Sequence, residues 1–124
     1  MDLIAAVLLS TMTATVTSYR AVKAQTDETP NWTSINHHVH PYGCAVSPDL
    51  LKSGEVCYGD AVIIPNLGIR IVNDVTHPRL KRTIDIFVNN KAQEKRVGVR
   101  HVQVSVLRAQ TRKCQRAQVL LSEK

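Results

Sequence analysis

The chain has 124 residues, the size of one domain, with 44% hydrophobic, 21% charged and 4% aromatic residues, a balance that excludes both a disordered chain and a multi-spanning membrane protein. Its net charge of +6 describes a surface that attracts anions, among them nucleic acid, anionic membrane and anionic cell-wall polymers. The positive residues are scattered before they thicken at Arg112, Lys113 and Arg116, and aromatic residues are few, so neither a basic arm nor a stacking platform for single strands is present and no nucleic-acid partner is expected.

Residues 1–12 contain a short apolar run, Leu3 to Leu9, too short to span a bilayer and about the length of a signal h-region. Asp2 precedes it and no Lys or Arg does, so it reads equally as an apolar segment that packs on a partner chain or on the domain. Residues 13–19, TATVTSY, alternate and are β-branched, which predicts a strand. Residues 22–41 are polar, contain proline and show no sustained period, and they form the longest loop-like region. CAVS at 44–47 is a short apolar run stopped by Pro48, and DLLKSGEV predicts a helical turn closed by Gly54.

Residues 60–65, DAVIIP, and 67–74, LGIRIVND, read as two strands with a turn at Asn66 and Gly68. Residues 83–88, TIDIFV, place Ile84, Ile86 and Val88 on one face and Asp85 and Phe87 on the other. NNKAQEKRVG predicts a helix capped at Asn89 or Asn90 and ended at Gly98. Residues 99–108 carry the clearest alternation in the chain, with Val102, Val104 and Val106 on one face. Residues 109–124 read as a basic amphipathic helix with Cys114, Ala117, Leu120 and Leu121 on one side, packing on its own barrel rather than on a membrane. Several short strands separated by turns, with only brief helices, predict a mainly β fold closed into a barrel over residues 13–108.

Three cysteines are too few for a disulfide scaffold, and no CxxC pair is present. Cys44 and Cys57 flank one strand and its following loop, and they read either as a disulfide, with Cys114 left in the tail, or as two small buried hydrophobes. His37, His38, His40 and Cys44 have the residue types of a zinc site. In an extended segment, however, only His38 and His40 share a face, so no metal is expected. Trp32, the single tryptophan, is either a core plug or a sugar-stacking surface. By spacing alone Asp74 and Asp85 read as strand-end carboxylates that satisfy backbone donors or pair with Arg79, Lys81 or Arg82.

Taken in order, TATVTSY, QTDETPNWTS, CAVSPDLL, GDAVIIP, IRIVNDVTHPRLKRTIDIFV and KAQEKRVGVRHVQVSVLR resemble the three-aspartate (3D) domain, over about residues 13–108. That family is similar in fold to the six-stranded double-psi β-barrel of expansins and to the catalytic region of membrane-bound lytic transglycosylase A. The resemblance rests mainly on Asp74, on Asp85 within IDIF, and on the segment from Ala92 to Arg100. This sequence has Ser47, with Asp49 two residues on, where the family has its first aspartate, and Thr33, Ser34, Ile35 and Asn36 in place of Thr-Ala-Ser-Gly. The resemblance implies a groove that acts on peptidoglycan glycan strands, with Asp85 as acid and base, Asp74 orienting it and tuning its proton affinity, and Asp49, Ser47 and Trp32 lining it for substrate. Cleavage would yield a 1,6-anhydro sugar without water or cofactor, in an extracytoplasmic or virion-associated setting. The alternative expectation is a non-catalytic phage virion or tail protein that uses the barrel for wall docking or assembly, with partner chains on its apolar N-terminal and C-terminal segments.

Overall fold

A computed structural model describes residues 9–20, 42–110 and 113–114. Six strands, β1 (Leu9–Tyr19), β2 (Gly43–Val46), β3 (Ala61–Ile64), β4 (Gly68–Val75), β5 (Thr83–Phe87) and β6 (Arg100–Leu107), are joined by two short helices, α1 (Pro48–Ser53) and α2 (Lys91–Val97). The strands close on themselves in the order β1-β5-β2-β4-β3-β6. Two pairs are parallel, β1 with β5 and β2 with β4; the other four are antiparallel. Exchanging each strand for the one three places along the chain maps β1–β5 onto β4–β2 and β1–β6 onto β4–β3, and leaves β2–β5 and β3–β6 in place. The connectivity thus has a pseudo-twofold axis that relates two interlocked halves, the double-psi arrangement of a mixed six-stranded barrel. Closure removes the free strand edges that would otherwise invite association.

Alternation places the core. Ile84 and Ile86 from β5, Val104 and Val106 from β6, Val16 from β1, Cys44 and Val46 from β2, Val62 and Ile64 from β3 and Val72 from β4 all lie inside the barrel and are essentially inaccessible. Val102 is half-buried at the rim of the same face. The barrel begins at Leu9 rather than at residue 13, and Met12 enters the core. Boundary positions of this kind carry little sequence signal, since Ser10 and Thr11 suit a strand or a loop.

Both helices end as their sequences require. Pro48 opens α1 behind Ser47, and Gly54 closes it in the left-handed region at φ 80°. The Asn90 side chain accepts from the Gln93 backbone N–H at 2.9 Å, while the Gln93 side chain accepts from Asn89 N–H at 2.8 Å, a reciprocal pair that satisfies two otherwise orphaned donors. Among the described residues no helix is long and apolar enough to cross a membrane.

The C-terminal chain departs from the expected helix where it is described. Tyr58 and Lys113 form an antiparallel bridge, with Tyr58 N–H donating to Lys113 O at 2.7 Å. Cys114 is disulfide-bonded to Cys57. The buried Asp60 carboxylate accepts from Cys57 N–H at 2.9 Å and from Ala109 N–H at 2.7 Å. Ala109, Lys113 and Cys114 thus meet the turn before β3 at these three points. Of the two readings left open for Cys44 and Cys57, the disulfide between them is replaced by Cys57 with Cys114, and Cys44 follows the other, a small buried hydrophobe. Cys44 points into the core as a free thiol, because β2 alternates and Cys44 shares parity with Val46.

Candidate functional site

The outer face of β2 has a floor of small side chains. Gly43 and Ala45 alternate with the core residues Cys44 and Val46, so nothing larger than a methyl group rises from β2 between its neighbours β4 and β5. Ala45 lies opposite Asp74 in β4 and opposite Asp85 in β5, and Asp85 lies in turn opposite Thr17 in β1. Side chains that face each other across a ladder project on the same side, so Asp74, Ala45, Asp85 and Thr17 form one row across four strands. The two aspartates stand roughly 9–10 Å apart at the backbone, two strand spacings, with only an alanine methyl between them.

A bulge creates this convergence. Cys44 pairs with Val72 and Ala45 with Asp74, so Asn73 is an extra residue in β4. Without it Asp74 would share the parity of Val72 and face the core; with it Asp74 turns outward and Val75 inward, where it packs against the core. Asn73 folds over Gly43, and a Cβ built on Gly43 would lie 2.7 Å from Asn73 Nδ2. The Asn73 Oδ1 atom is buried without a hydrogen-bond partner among the described residues, which leaves an acceptor beside Gly43. Gly43→Ala should displace Asn73 and lower stability by about 1–3 kcal/mol. Urea unfolding checks this, and an unchanged midpoint would mean that Asn73 swings away without consequence.

Asp85 is half-buried, and Thr17 Oγ1 donates to its Oδ1 at 2.8 Å. Burial pushes its carboxyl up to about 6; the Thr17 hydrogen bond opposes the rise, and the negative charges of Asp74 and Glu94 add to it. Asp74 Oδ1 accepts from Val75 N–H at 2.8 Å. Tyr19 flanks the row, its ring edge-on to Phe87 with centroids 5.7 Å apart. Its hydroxyl is pushed above the usual phenol range by burial and then by Asp74 and Asp85. Glu94 reaches this side from α2 and is held by Arg20 Nε at 3.0 Å. The site thus holds a protonatable carboxyl, a second carboxylate and a phenol beside a buried floor of small residues, which is the equipment of a general acid.

Ser47 and Asp49 make backbone contacts at the turn into β5. Ser47 is fully buried; its Oγ accepts from Thr83 N–H at 2.9 Å. Asp49 accepts from Arg82 N–H with both carboxylate oxygens, at 3.2 and 3.0 Å. Slight burial acts upward on Asp49, but hydrogen bonds from Ser47 and from the backbone of Arg82, Asp49 and Leu50 outweigh it and hold the carboxyl below its ordinary range. Arg82 has a φ of 45°, a conformation that bulky side chains seldom adopt, and its guanidinium bonds Glu55 at 2.9 Å and Thr13 O. Asp49 and Ser47 thereby brace the turn into β5 that sets the position of Asp85. Trp32, His37, His38 and His40 lie outside the described residues. Among the described residues no group of three His, Cys, Asp or Glu side chains is arranged to hold a metal ion.

Sequence reasoning did not single out Thr17, Tyr19, Asn73 or the Gly43 and Ala45 floor. The one available signal for the floor was the alternation of small and core residues in Gly43-Cys44-Ala45-Val46. No protein-family model matches the chain, and no curated protein matches it.

Proposed function

We propose that the groove over β2 binds a glycan strand of peptidoglycan and cleaves it in the manner of a lytic transglycosylase. The observation that carries this reading is the row Asp74–Ala45–Asp85, with Asp85 titrating near 6. The double-psi barrel and the position of Asp85 within IDIF support it through the resemblance to the three-aspartate domain. Asp85, protonated, gives its proton to the glycosidic oxygen after N-acetylmuramic acid as the bond from C1 to that oxygen breaks. The muramoyl 6-hydroxyl then closes on C1, and its proton passes to the Asp85 carboxylate. The acid is regenerated, the product is a 1,6-anhydro sugar, and no water is consumed, so a second carboxylate as nucleophile is not needed. Burial, with the Asp74 charge adding to it, keeps the Asp85 proton in place, and Thr17 fixes the carboxyl orientation. The disulfide from Cys57 to Cys114 fits work outside a reducing cytoplasm. The test is release of anhydro-muropeptides from purified cell wall by the parent and by Asp85→Asn.

A different observation favours assembly into a phage particle or tail. Leu9, Leu107, Ala61 and Ile71 form a row across β1, β6, β3 and β4, with Ile63 and Ile69 paired beside it. Leu9, Ile63, Ile69, Ile71 and Leu107 are all exposed, Ile69 by 56%. A contiguous apolar patch on the outside of a barrel that already has a filled core suits another protein chain. Ile69→Asp should leave the barrel folded and convert an assembled protein to monomer in sedimentation velocity. A parent that is already monomeric at tens of micromolar, roughly the range of weak association, would sink this reading.

A further inference from the structure

Side chains that alternate with the core on β1 and β6 point outward. On this face Thr11, Thr13 and Thr15 stand opposite Ser105, Gln103 and His101, and Thr17 continues the β1 line to Asp85. None of these outward positions is Asp, Glu, Lys or Arg. A cavity of about 300 Å³ opens here; its lining includes Thr13, Thr15, His101 and Gln103, with Arg82 reaching in from the turn before β5. Thr15 Oγ1 and His101 Nδ1 hydrogen-bond at 3.1 Å, which holds the imidazole against β1 and leaves Nε2 for another partner. The Thr13 hydroxyl and the Gln103 amide make no hydrogen bond among the described residues. Arg82 is already matched: Nη1 and Nη2 donate to the Glu55 carboxylate at 2.9 and 3.2 Å, and Nε and Nη2 donate to Thr13 O at 3.3 and 3.1 Å.

A cavity whose guanidinium is met by a carboxylate gains little from a charged ligand. What it offers instead is hydroxyl, amide and imidazole groups that both donate and accept, which suits a neutral polyhydroxyl ligand. The volume is at the low end for a small-molecule site, the scale of one sugar ring. Its place in the fold connects it to the chemistry. Thr15 and Thr17 are alternate residues of β1, about 7 Å apart along the strand, and Thr17 Oγ1 donates to Asp85 Oδ1 at 2.8 Å. That spacing is the scale of neighbouring rings in an extended sugar chain. We propose that the cavity is a sugar subsite that holds, by hydrogen bonds rather than charge, the N-acetylglucosamine ring on the leaving side of the bond that meets Asp85. Of the two sugars that flank that bond, it is the one without a carboxyl-bearing substituent. The inference rests on the glycan reading of the Asp85 row, and it assigns Thr13, Thr15, His101 and Gln103 to substrate binding.

The test titrates the full chain carrying Asp85→Asn, so that the ligand is not cleaved, with soluble peptide-free glycan strands prepared from purified wall. Calorimetry reads the affinity and amide NMR shifts locate the contact. Saturation is expected to shift the amides of Thr13, Thr15, His101 and Gln103, with a Kd that salt leaves unchanged because no net charge is engaged. Adding Thr13→Val and Gln103→Ala removes one hydroxyl and one amide from an exposed strand face, and should weaken binding at least ~10-fold at unchanged circular dichroism and urea midpoint. A soluble oligomer of N-acetylglucosamine alone should shift the same amides, and its failure to do so would overturn the assignment of the ring. Shifts confined to Thr17, Ala45 and position 85, with the added substitutions binding like their host, would remove the subsite and leave the glycan reading standing. That reading fails separately if Asp85→Asn releases anhydro-muropeptides as fast as the parent, and shifts at the cavity would still support the subsite in that case. Absence of saturable strand binding, or an affinity that collapses as salt is raised, would overturn the proposal.

Discussion

Asp85→Asn is expected to leave a folded, wall-binding protein that releases anhydro-muropeptides at least ~100-fold more slowly than the parent. Asparagine keeps the shape of the side chain and the oxygen that accepts from Thr17, so the groove persists while the transferable proton is lost. Activity in the parent should fall as pH rises above about 6, where Asp85 gives up its proton. Stability should move in the same direction. The folded state holds the Asp85 proton more tightly than the unfolded chain, because its carboxyl is raised from 3.8 to about 6. Its stabilising contribution is therefore complete below about pH 3.8 and is lost as pH rises through about 6. Asp85→Asn carries no such titration and should be more stable than the parent at pH 8, by on the order of 1–3 kcal/mol, with the difference closing toward pH 4. Equal turnover in variant and parent would remove Asp85 from the chemistry. A variant less stable at pH 8 would show that the carboxylate holds the fold together instead.

Removal of the Cys57–Cys114 crosslink is expected to be the most destabilising single change outside the core. The bond closes a loop with a sequence separation of 57, and loop-closure entropy for that length amounts to about 4 kcal/mol at 25 °C. It also holds Lys113 against the Tyr58 bridge and Ala109 against the Asp60 carboxylate, so its loss should let these contacts open first. Cys114→Ser should lower the urea midpoint by an amount that corresponds to a few kcal/mol, roughly the entropic figure. Reducing agent should lower the parent to the same level and leave the variant unmoved. The remaining thiol will not scramble the pairing in the folded state: burial pushes Cys44 up to about 12, with Asp85 and Asp74 adding to the rise against Arg70, and the thiolate is the reactive form. Thiol titration in denaturant should count one free cysteine before reduction and three after. A peptide map that joined Cys44 to Cys57 would refute the pairing.

The strands themselves were legible in the sequence, and the reason is local. In TATVTSY, TIDIFV and VRHVQVSVLR the side-chain period of two is uninterrupted, so each residue's face follows from its neighbours, and the elements form close to where that period runs. Helix ends were legible for the same reason: Asn90, Gly54 and Gly98 satisfy or release backbone groups within one turn. Asp85 could be placed on the outer face of its strand by parity alone. Asp74 could not, since period-two counting from Val72 sends it into the core, and only the bulge at Asn73 reverses it.

Whether a bulge forms depends on the partner strand, here on Gly43 leaving room for Asn73, and such partners are remote in the chain. The same holds for the cysteines. Cys44 and Cys57 are nearer in sequence, but β2 turns Cys44 inward, and the barrel brings residues 57 and 114 together across almost half the chain. Periodicity and capping are properties of adjacent residues and can be read from their order. Strand order, bulge position and cysteine pairing are set by contacts between distant segments, and these exist only once the barrel has closed.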